Sequence, residues 1–303
     1  MLGCAPPHRT DRAVMIPFDL APRRLEVPAH TEPTIVVVTG AEPRHVRFAL
    51  RMQQEFGADV VAWYQLTRAP TAPSPAAPTP PREPLLRRAR HAVRRALGRT
   101  PPPATEPPAS IFLEDIEQLR AHAVVPARPL AASEANGDTF VRELRALRPC
   151  FLLTLGGGLY GRAVLESVRG LPINQHAGYS PDYKGNQTTY QTLYHRDLRR
   201  VASTVHVTTT GVDAGPILRR STPCLTPSDS VHTVMERVVA LGTELMIECV
   251  REIRDTGSIL AFDQPLEGVT YLARECDTHV RGAVHGDFER GWLGAALRRR
   301  RAW

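Results

Sequence analysis

The residues best suited to chemistry in this sequence are an amide and an imidazole one residue apart, Asn174 and His176. A short apolar run precedes them, which is typical of the end of a buried strand. The residues that follow are rich in glycine and proline, which predicts a loop above a sheet edge. Open α/β sheets bind ligands at the carboxyl ends of their strands, so this position favours a functional site. The structural alternative is that either side chain caps a turn or satisfies a buried polar group.

A carboxylate that could join this pair comes later in the chain, at Asp213. The segment 201–207 alternates with a period of two, which predicts a strand. Gly211 and Gly215 lie on either side of Asp213 and predict a tight bend, and such loops often present one side chain to a site. Taken alone, Asp213 fits the role of a turn former. Together, the three residues supply an amide, an imidazole and a carboxylate, a set suited to acid–base chemistry.

Four elements of the sequence together resemble the formyltransferase family that uses 10-formyltetrahydrofolate. They are the Asn-x-His pair, a Pro-x-Tyr-Lys-Gly loop at 181–185, a Thr-x-His element at 204–206 and an Asp-x-Gly-Pro-Ile element at 213–217. The resemblance covers roughly residues 151–218 and places the family's catalytic triad on Asn174, His176 and Asp213. The chain departs from the family at Gly178, where a serine is usual, and at 179–180, where two leucines are usual. This departure affects the acceptor side of the pocket.

The resemblance implies an α/β fold: a Rossmann-like, mostly parallel sheet of the formyltransferase type with a short C-terminal appendage. It implies 10-formyltetrahydrofolate as the formyl donor and a primary amine of a small molecule as the acceptor. The loop after the strand 151–155 would line the pterin pocket, and its alternative is a plain strand-to-helix turn. The cofactor-binding residues implied in this loop and in the bend near Asp213 are Gly158, Leu159, Tyr160, Gly211, Val212 and Asp213.

The chemistry implied for the triad is attack of the amine on the formyl carbon. A protonated His176 and the amide of Asn174 would donate hydrogen bonds to the developing oxyanion, and each such donor can be worth ~3 kcal/mol. Asp213 would raise the pKa of His176 by its charge and would help to move a proton from the amine to the leaving folate. Acid–base assistance of this kind typically contributes ~10²–10⁴-fold in rate.

The residues favour an amino sugar, often nucleotide-linked, as the acceptor, with an amine of a secondary metabolite close behind. Near Gly40 the chain lacks the glycine-rich phosphate loop of the purine-pathway formyltransferases, which argues against a ribosyl phosphate. The C-terminal tail is too short for the barrel domain of the initiator-tRNA enzymes, and segment 264–271 resembles one found in sugar N-formyltransferases. His45, at the start of a predicted helix, is a further site candidate, and its alternative is a solvent-facing histidine.

Three other functions remain open. The arginine excess favours a methionyl-tRNA formyltransferase-like enzyme. From another class, the chain could be a catalytically silent homologue that binds RNA or a protein partner. Hydrolysis of the folate without an acceptor is the third. We expect a small-molecule amine as the partner rather than nucleic acid or a membrane, and the sequence leaves a homodimer open.

The composition indicates a cytoplasmic protein with an affinity for anions. The formal net charge is +7, and lysine is almost absent among the 38 basic residues. Such an excess suits a folate, a nucleotide-sugar or RNA. The five cysteines are widely spaced without a Cys-x-x-Cys motif, which predicts reduced thiols and no metal site. No apolar run approaches the ~20 residues of a membrane span.

The 303 residues fit one large domain with an appendage or two modest domains. We expect a mobile tail at 1–33, a catalytic domain at 34–226 and a long helix with a C-terminal appendage at 227–303. Within the catalytic domain, 69–110 is a Pro/Arg-rich insertion, whose segment 85–98 is either an RNA-contacting helix or a solvated one. The predicted strands are 34–38, 59–65, 123–125, 151–155 and 201–207. The predicted helices are 44–56, 111–122, 138–147, 162–168, 187–196 and 230–255.

Overall fold

The structure, a computed structural model, describes residues 20–27, 33–67, 110–265 and 268–300. Its strands are β1 Pro22–Glu26, β2 Ile35–Thr39, β3 Val60–Thr67, β4 Ala127–Ala131, β5 Phe151–Leu155, β6 Leu171–His176, β7 Tyr183–Gly185, β8 Ser203–Val207, β9 Ile217–Ser221, β10 Ser258–Phe262 and β11 Val269–Tyr271. Nine of them form one sheet in the spatial order β1–β10–β9–β8–β6–β5–β2–β3–β4. The other two, β7 and β11, pair with each other in parallel.

Helices cover both faces of the large sheet. They are α1 Pro43–Phe56, α2 Leu113–Arg120, α3 Asp138–Leu147, α4 Arg162–Leu165, α5 Thr188–Tyr194, α6 Val231–Thr256, α7 Thr278–Glu289 and α8 Trp292–Arg300. One apolar core lies between the sheet and the pair α1 and α6, and a second lies between the other face and α3. A third cluster joins α5 to α7 and α8. No helix in the described part of the chain is both long and apolar enough to cross a membrane.

The predicted α/β fold with a large Rossmann-like sheet is confirmed. Strands β4, β3, β2, β5 and β6 run parallel, whereas β8, β9, β10 and β1 continue the sheet antiparallel. Every residue of β2 and β5 is buried, because helices cover both faces of this parallel half. The carboxyl ends of β2, β5 and β6 therefore meet at one edge, which is the edge that carries the Asn-x-His pair.

The longest helix, α6, supports the strand that carries this pair. Ser230 and Thr233 form a capping box at its start, and it ends at Gly257, close to the predicted limits. Gln175 of β6 donates from Nε2 to the Val239 carbonyl of α6 over 2.7 Å. Because side chains alternate along a strand, this contact directs Asn174 and His176 to the opposite face of β6.

Two sequence predictions of local structure are wrong. The strand predicted at 123–125 does not form, because the backbone N–H groups of Val124 and Val125 both donate to the Gln53 side chain, at 2.8 and 2.9 Å. The strand lies four residues later, as β4 at the sheet edge. The mobile tail predicted for 1–33 is wrong for Pro22–Glu26, because the edge of β10 gives this segment a strand to pair with. Strand β10 itself was not predicted from the sequence.

The predicted insertion 69–110, apart from Ser110, lies outside the described residues. Ser110 and the N–H of Ile111 bond to the buried Glu236 of α6, which fixes the point where the chain re-enters the core. The main core contains residues from both sides of position 226, where the two predicted domains would meet.

Candidate active site

The three predicted catalytic side chains lie together against one face of β6. Asn174 and His176 end β6, and Asp213 comes from the bend between β8 and β9. Asp213 Oδ2 lies 3.3 Å from His176 Nδ1, and Asp213 Oδ1 lies 3.5 Å from Asn174 Nδ2. The structure therefore brings together an amide, an imidazole and a carboxylate from two distant parts of the sequence.

The amide of Asn174 is held in one orientation. Its neighbour across the parallel β5–β6 pair is Thr154, whose hydroxyl donates to Asn174 Oδ1 over 2.8 Å. Its neighbour across the antiparallel β6–β8 pair is His206, whose Nε2 lies 3.1 Å from Asn174 Nδ2. Since the amide oxygen is taken by a hydroxyl donor, the Nδ2 donors point towards His206 and Asp213.

Asp213 is fixed by its backbone and by three hydrogen-bond partners. Its φ of 43° is in the left-handed region, which an aspartate adopts more readily than most residues. Oδ2 accepts from the Gly185 N–H at 2.7 Å, and Oδ1 lies 3.3 Å from His206 Nε2. Gln264 donates from its side chain to the carbonyl oxygens of Asp213 and Gly215, at 2.9 and 2.5 Å.

These partners keep the carboxylate ionised. Burial by itself would raise the pKa of Asp213, but the charge of His176, the bond and charge of His206 and the Gly185 N–H together lower that pKa well below its ordinary value. Asp213 is therefore a buried carboxylate that keeps its negative charge beside two imidazoles.

His176 lies between the carboxylate and a backbone carbonyl. Its Nε2 is 2.7 Å from the Tyr183 carbonyl oxygen, which can only accept, so Nε2 carries a proton. Its Nδ1 faces Asp213, which is ionised, so a second proton on Nδ1 would also find an acceptor. Both ring nitrogens of His176 thus already have protein partners.

Strand β7 positions this pair through its backbone. The carbonyl of Tyr183 contacts His176, and two residues later the N–H of Gly185 contacts Asp213. Its other edge pairs with β11, and the Asn186 N–H donates to the Tyr271 carbonyl at 2.8 Å. The C-terminal segment that follows β10 therefore braces the site.

The predicted cofactor loops follow the two strands that flank β6 in the sheet, β5 on one side and β8 on the other. After β5, Gly158 is exposed and Leu159 is 52% exposed, whereas the Tyr160 side chain packs into the core against α3 and α4. On the other flank, Gly211 is exposed and Val212 is partly buried beside Asp213. Leu159 is thus a large exposed apolar side chain of this loop, whereas the Tyr160 ring is buried and its hydroxyl lies against Gly157.

His45 is buried, not solvent-facing. Its ring packs between Gly40 after β2 and Gly156 after β5, and its Nδ1 has no hydrogen-bond partner. Burial, followed by the charge of Arg44, lowers the pKa of His45 to about 3. It is therefore a neutral histidine that supports the start of the Gly156 loop.

Sequence reasoning did not assign roles to two residues of the site, His206 and Thr154. Both contact Asn174 through neighbouring strands. The Thr-x-His element and the predicted alternation of β8 were signals for His206, but its register opposite Asn174 was needed to place it. Among the described residues, no group of three or more His, Cys, Asp or Glu side chains could hold a metal ion.

Comparison with known proteins identifies the type of domain. The family model described as formyl transferase matches residues 97–250, which is about half of the chain. The methionyl-tRNA formyltransferase of Salinispora tropica is 31% identical over 161 residues, covering 52% of this chain and 50% of that protein. The corresponding protein of Aromatoleum aromaticum is 29% identical over 161 residues, covering 52% of this chain and 49% of its own length. The chain thus spans about half the length of these curated relatives.

The fold is also found among solved structures. A 4-N formyltransferase from Francisella tularensis superposes with a TM-score of 0.50 at 13% identity. The superposition covers 81% of this chain and 78% of that one. At this identity the similarity concerns the fold alone.

Proposed function

Because this chain belongs to the formyl transferase family, we propose that it transfers a formyl group from 10-formyltetrahydrofolate to a primary amine of a small molecule. The observation that carries the proposal is the convergence of Asn174, His176 and Asp213, with Asp213 Oδ2 3.3 Å from His176 Nδ1. This set supplies hydrogen-bond donors and a proton acceptor around one point, as transfer of an acyl group to an amine requires.

The loops beside Asn174 fit the donor. A side chain at Gly158 would meet no atom within 4 Å, so there is open space above this loop, and Leu159 offers an exposed apolar surface. These features suit a flat, partly apolar ring. Gly158 and Leu159 would contact one side of this ring, and Gly211 and Val212 would contact the other side. When bound, the donor supplies an activated formyl group.

The protein's own residues then assist the transfer. Asn174 Nδ2 faces His206 Nε2 and Asp213 Oδ1, and one of its N–H donors would turn to the formyl oxygen as negative charge develops there. Asp213 takes a proton from the amine as the new nitrogen–carbon bond forms and passes it to the folate nitrogen as its bond to the formyl carbon breaks. His176 Nδ1, 3.3 Å from this carboxylate, keeps it in place. Both Asn174 and His176 already have protein partners, so donation to the formyl oxygen requires Asn174 Nδ2 to release His206 or Asp213, or His176 Nδ1 to leave Asp213.

A screen of amines by mass spectrometry, with 10-formyltetrahydrofolate supplied, tests the proposal. We expect one class of amine to gain a formyl group, and we expect 5-formyltetrahydrofolate to raise the melting temperature of the protein. A protein that gives no thermal shift with this folate would instead be the catalytically silent homologue. Formate release without any amine would identify the hydrolase.

An amino sugar, nucleotide-linked or free, is the acceptor that we propose first. Its support is the segment 264–271, which resembles one found in sugar N-formyltransferases and here lies against the site, with Gln264 bonded to the Asp213 carbonyl and β11 paired with β7. An amine of a secondary metabolite is the next choice within the same chemistry, and the same screen decides between them.

Initiator methionyl-tRNA is the second candidate acceptor, because the curated relatives are methionyl-tRNA formyltransferases. The two candidates differ in their response to salt. Transfer to tRNA would weaken steeply as salt rises, since several phosphates are neutralised on binding. Transfer to a sugar amine would fall far less, so the salt dependence of kcat/KM separates the two.

A further inference from the structure

Tyr179 stands where a leucine is usual in the family, and two guanidinium groups lie over its ring. The Cζ atom of Arg220 is 3.7 Å from the ring centroid, and that of Arg200 is 5.7 Å from it. A cation over the face of an aromatic ring is attracted by the ring's quadrupole, and the attraction grows when water is excluded. A leucine offers no such attraction, so the departure from the family creates a different kind of contact at this position.

Burial distinguishes the two arginines. Arg220 is 4% exposed, so its charge is largely removed from water. The side chain of Arg200 is 47% exposed and pairs with Asp182 at 2.6 Å and with Asp197 at 2.8 Å. Because a desolvated cation–π contact is worth more than an exposed one, Arg220 is the stronger partner of the Tyr179 ring.

Arg220 also binds the backbone next to Tyr179. Its Nη1 donates to the Ser180 carbonyl over 2.5 Å. Thr204 lies opposite Arg220 in the β8–β9 pair. Its hydroxyl donates to the Gly178 carbonyl at 2.7 Å and accepts from the Ser180 N–H at 3.2 Å. Since residues directly opposite in an antiparallel pair point to the same face, β8 and β9 hold this loop from one side.

A short series of hydrogen bonds leads from Tyr179 to the active site. The Tyr179 carbonyl accepts from the Tyr183 N–H at 2.8 Å. The Tyr183 carbonyl in turn accepts from His176 Nε2 at 2.7 Å. His176 Nδ1 lies 3.3 Å from Asp213. A movement of the backbone at Tyr179 would therefore reach the catalytic pair through one residue, Tyr183.

We propose that the stack of Arg220 on Tyr179 positions the His176 ring for formyl transfer. The two stacked residues act through the peptide group of Tyr183 and not on a reacting atom. This inference rests on the proposed function and adds a positioning role at the place where the sequence departs from the family. Its consequence is that an aromatic ring, and not merely an apolar side chain, is required at position 179 for full activity.

Kinetics of two variants at this position give the first test. In folded Tyr179→Leu we expect kcat to fall about tenfold, equivalent to about 1.4 kcal/mol in the barrier, while the KM values for the donor and the amine stay close to wild type. Tyr179→Phe keeps the ring and loses only the hydroxyl, so it should retain the wild-type kcat. An unchanged kcat in Tyr179→Leu, or equal losses in the two variants, would reject the role of the ring.

A graded series of side chains tests the electrostatic nature of the contact. Mono-, di- and trifluorophenylalanine at position 179 keep nearly the shape of phenylalanine and progressively weaken the negative face of its ring. We expect log kcat to fall steadily along the series, at a temperature where circular dichroism shows every variant folded. A flat series would mean that the ring acts by its size alone, and would overturn the inference.

Phe112 provides the matched control. Its ring is buried beside α2, and the Cζ atom of Arg47 lies over it at 4.8 Å. Phe112→Leu removes a cation–π contact of the same kind outside the catalytic loop, so it should lower the melting temperature and leave kcat at the wild-type value. A loss of kcat as large as that in Tyr179→Leu would show that reduced stability alone slows transfer, and would refute the positioning role.

The Nε2 proton of His176 gives a readout that does not depend on activity. In protein labelled with ¹⁵N-histidine, its resonance is assigned by its loss in His176→Gln. We expect this proton to exchange with water faster in Tyr179→Leu than in wild type, and at the wild-type rate in Tyr179→Phe. Equal exchange rates in wild type and Tyr179→Leu would overturn the inference. If the wild-type protein formylates no amine, the proposed function fails, while the exchange rate still reports on the positioning of the His176 ring.

Discussion

The carboxylate of Asp213 lies 3.3 Å from Nδ1 of His176, and the backbone of β7 holds both residues from one side. The carbonyl of Tyr183 fixes the imidazole, and the N–H of Gly185 fixes the carboxylate. Since neither side chain can rotate away without losing a hydrogen bond, the pair is held in this geometry before any ligand binds.

Replacing Asp213 by Asn should abolish most of the transfer. The amide keeps the shape of the side chain and can still accept from Gly185, but it cannot take a proton from the amine, so we expect a loss of ~10²–10⁴-fold in kcat. The assay is formyl transfer to the identified amine, with circular dichroism to confirm folding. Asp263→Asn removes an exposed carboxylate that pairs with Arg23 and serves as the control. A folded Asp213→Asn enzyme with wild-type kcat would contradict the assignment.

His206→Gln should weaken transfer without stopping it. His206 lies 3.1 Å from the Asn174 amide and 3.3 Å from Asp213, so its loss releases one orienting contact on each. One such hydrogen bond is worth about 1 kcal/mol, which corresponds to roughly tenfold or less in kcat. The KM for the donor should stay close to wild type. A loss as large as that of Asp213→Asn would instead indicate that His206 itself carries the proton.

Restoring the serine that the family usually has at position 178 should destabilise this chain. A Cβ on Gly178 would lie 2.2 Å from His176 Nε2, 2.5 Å from Thr188 Oγ1 and 2.7 Å from the Tyr183 carbonyl oxygen. Overpacking of this kind costs about 1–3 kcal/mol, and urea unfolding of Gly178→Ser would measure it. Gly158→Ala is the matched control, because its Cβ would meet open space. Equal free energies of unfolding for the two variants would show that the loop around residue 178 shifts to accommodate the new side chain at little cost.

The features predicted correctly from sequence are local ones. The Asn-x-His pair ends an apolar run, and the bend at Asp213 is set by the adjacent glycines, so short motifs were enough to find them. The helix α6 was found by its apolar period, which is also a local signal.

The features that sequence missed depend on pairing between distant segments. His206 reaches Asn174 only because β8 pairs with β6 in one register, and β11 braces β7 from a part of the chain far from the site. The strand β1 forms because β10 offers an edge, and neither strand has a strong pattern of its own. Contacts made by backbone groups, such as the Tyr183 carbonyl, cannot be predicted from the residue types.

His45 should make the free energy of unfolding decrease as the pH falls. Its pKa is lowered to about 3 in the folded state, by burial and then by Arg44, from an ordinary value of 6.5. Between these values the unfolded chain binds a proton that the folded chain excludes, so stability decreases as the pH falls through 6.5 towards 3. At pH 4.5 this amounts to about 2–3 kcal/mol, since each pKa unit is worth 1.36 kcal/mol.

Melting temperatures of wild type and His45→Gln, measured from pH 7.5 to 4.5, test this linkage. The variant lacks the titrating group, so the difference in melting temperature should move in favour of His45→Gln as the pH falls. His122→Gln replaces an exposed histidine and is expected to follow the wild type across the range. If the melting temperatures of wild type and His45→Gln instead change in parallel, the folded protein accommodates a proton on His45. The ring would then not lie between Gly40 and Gly156 as a neutral support.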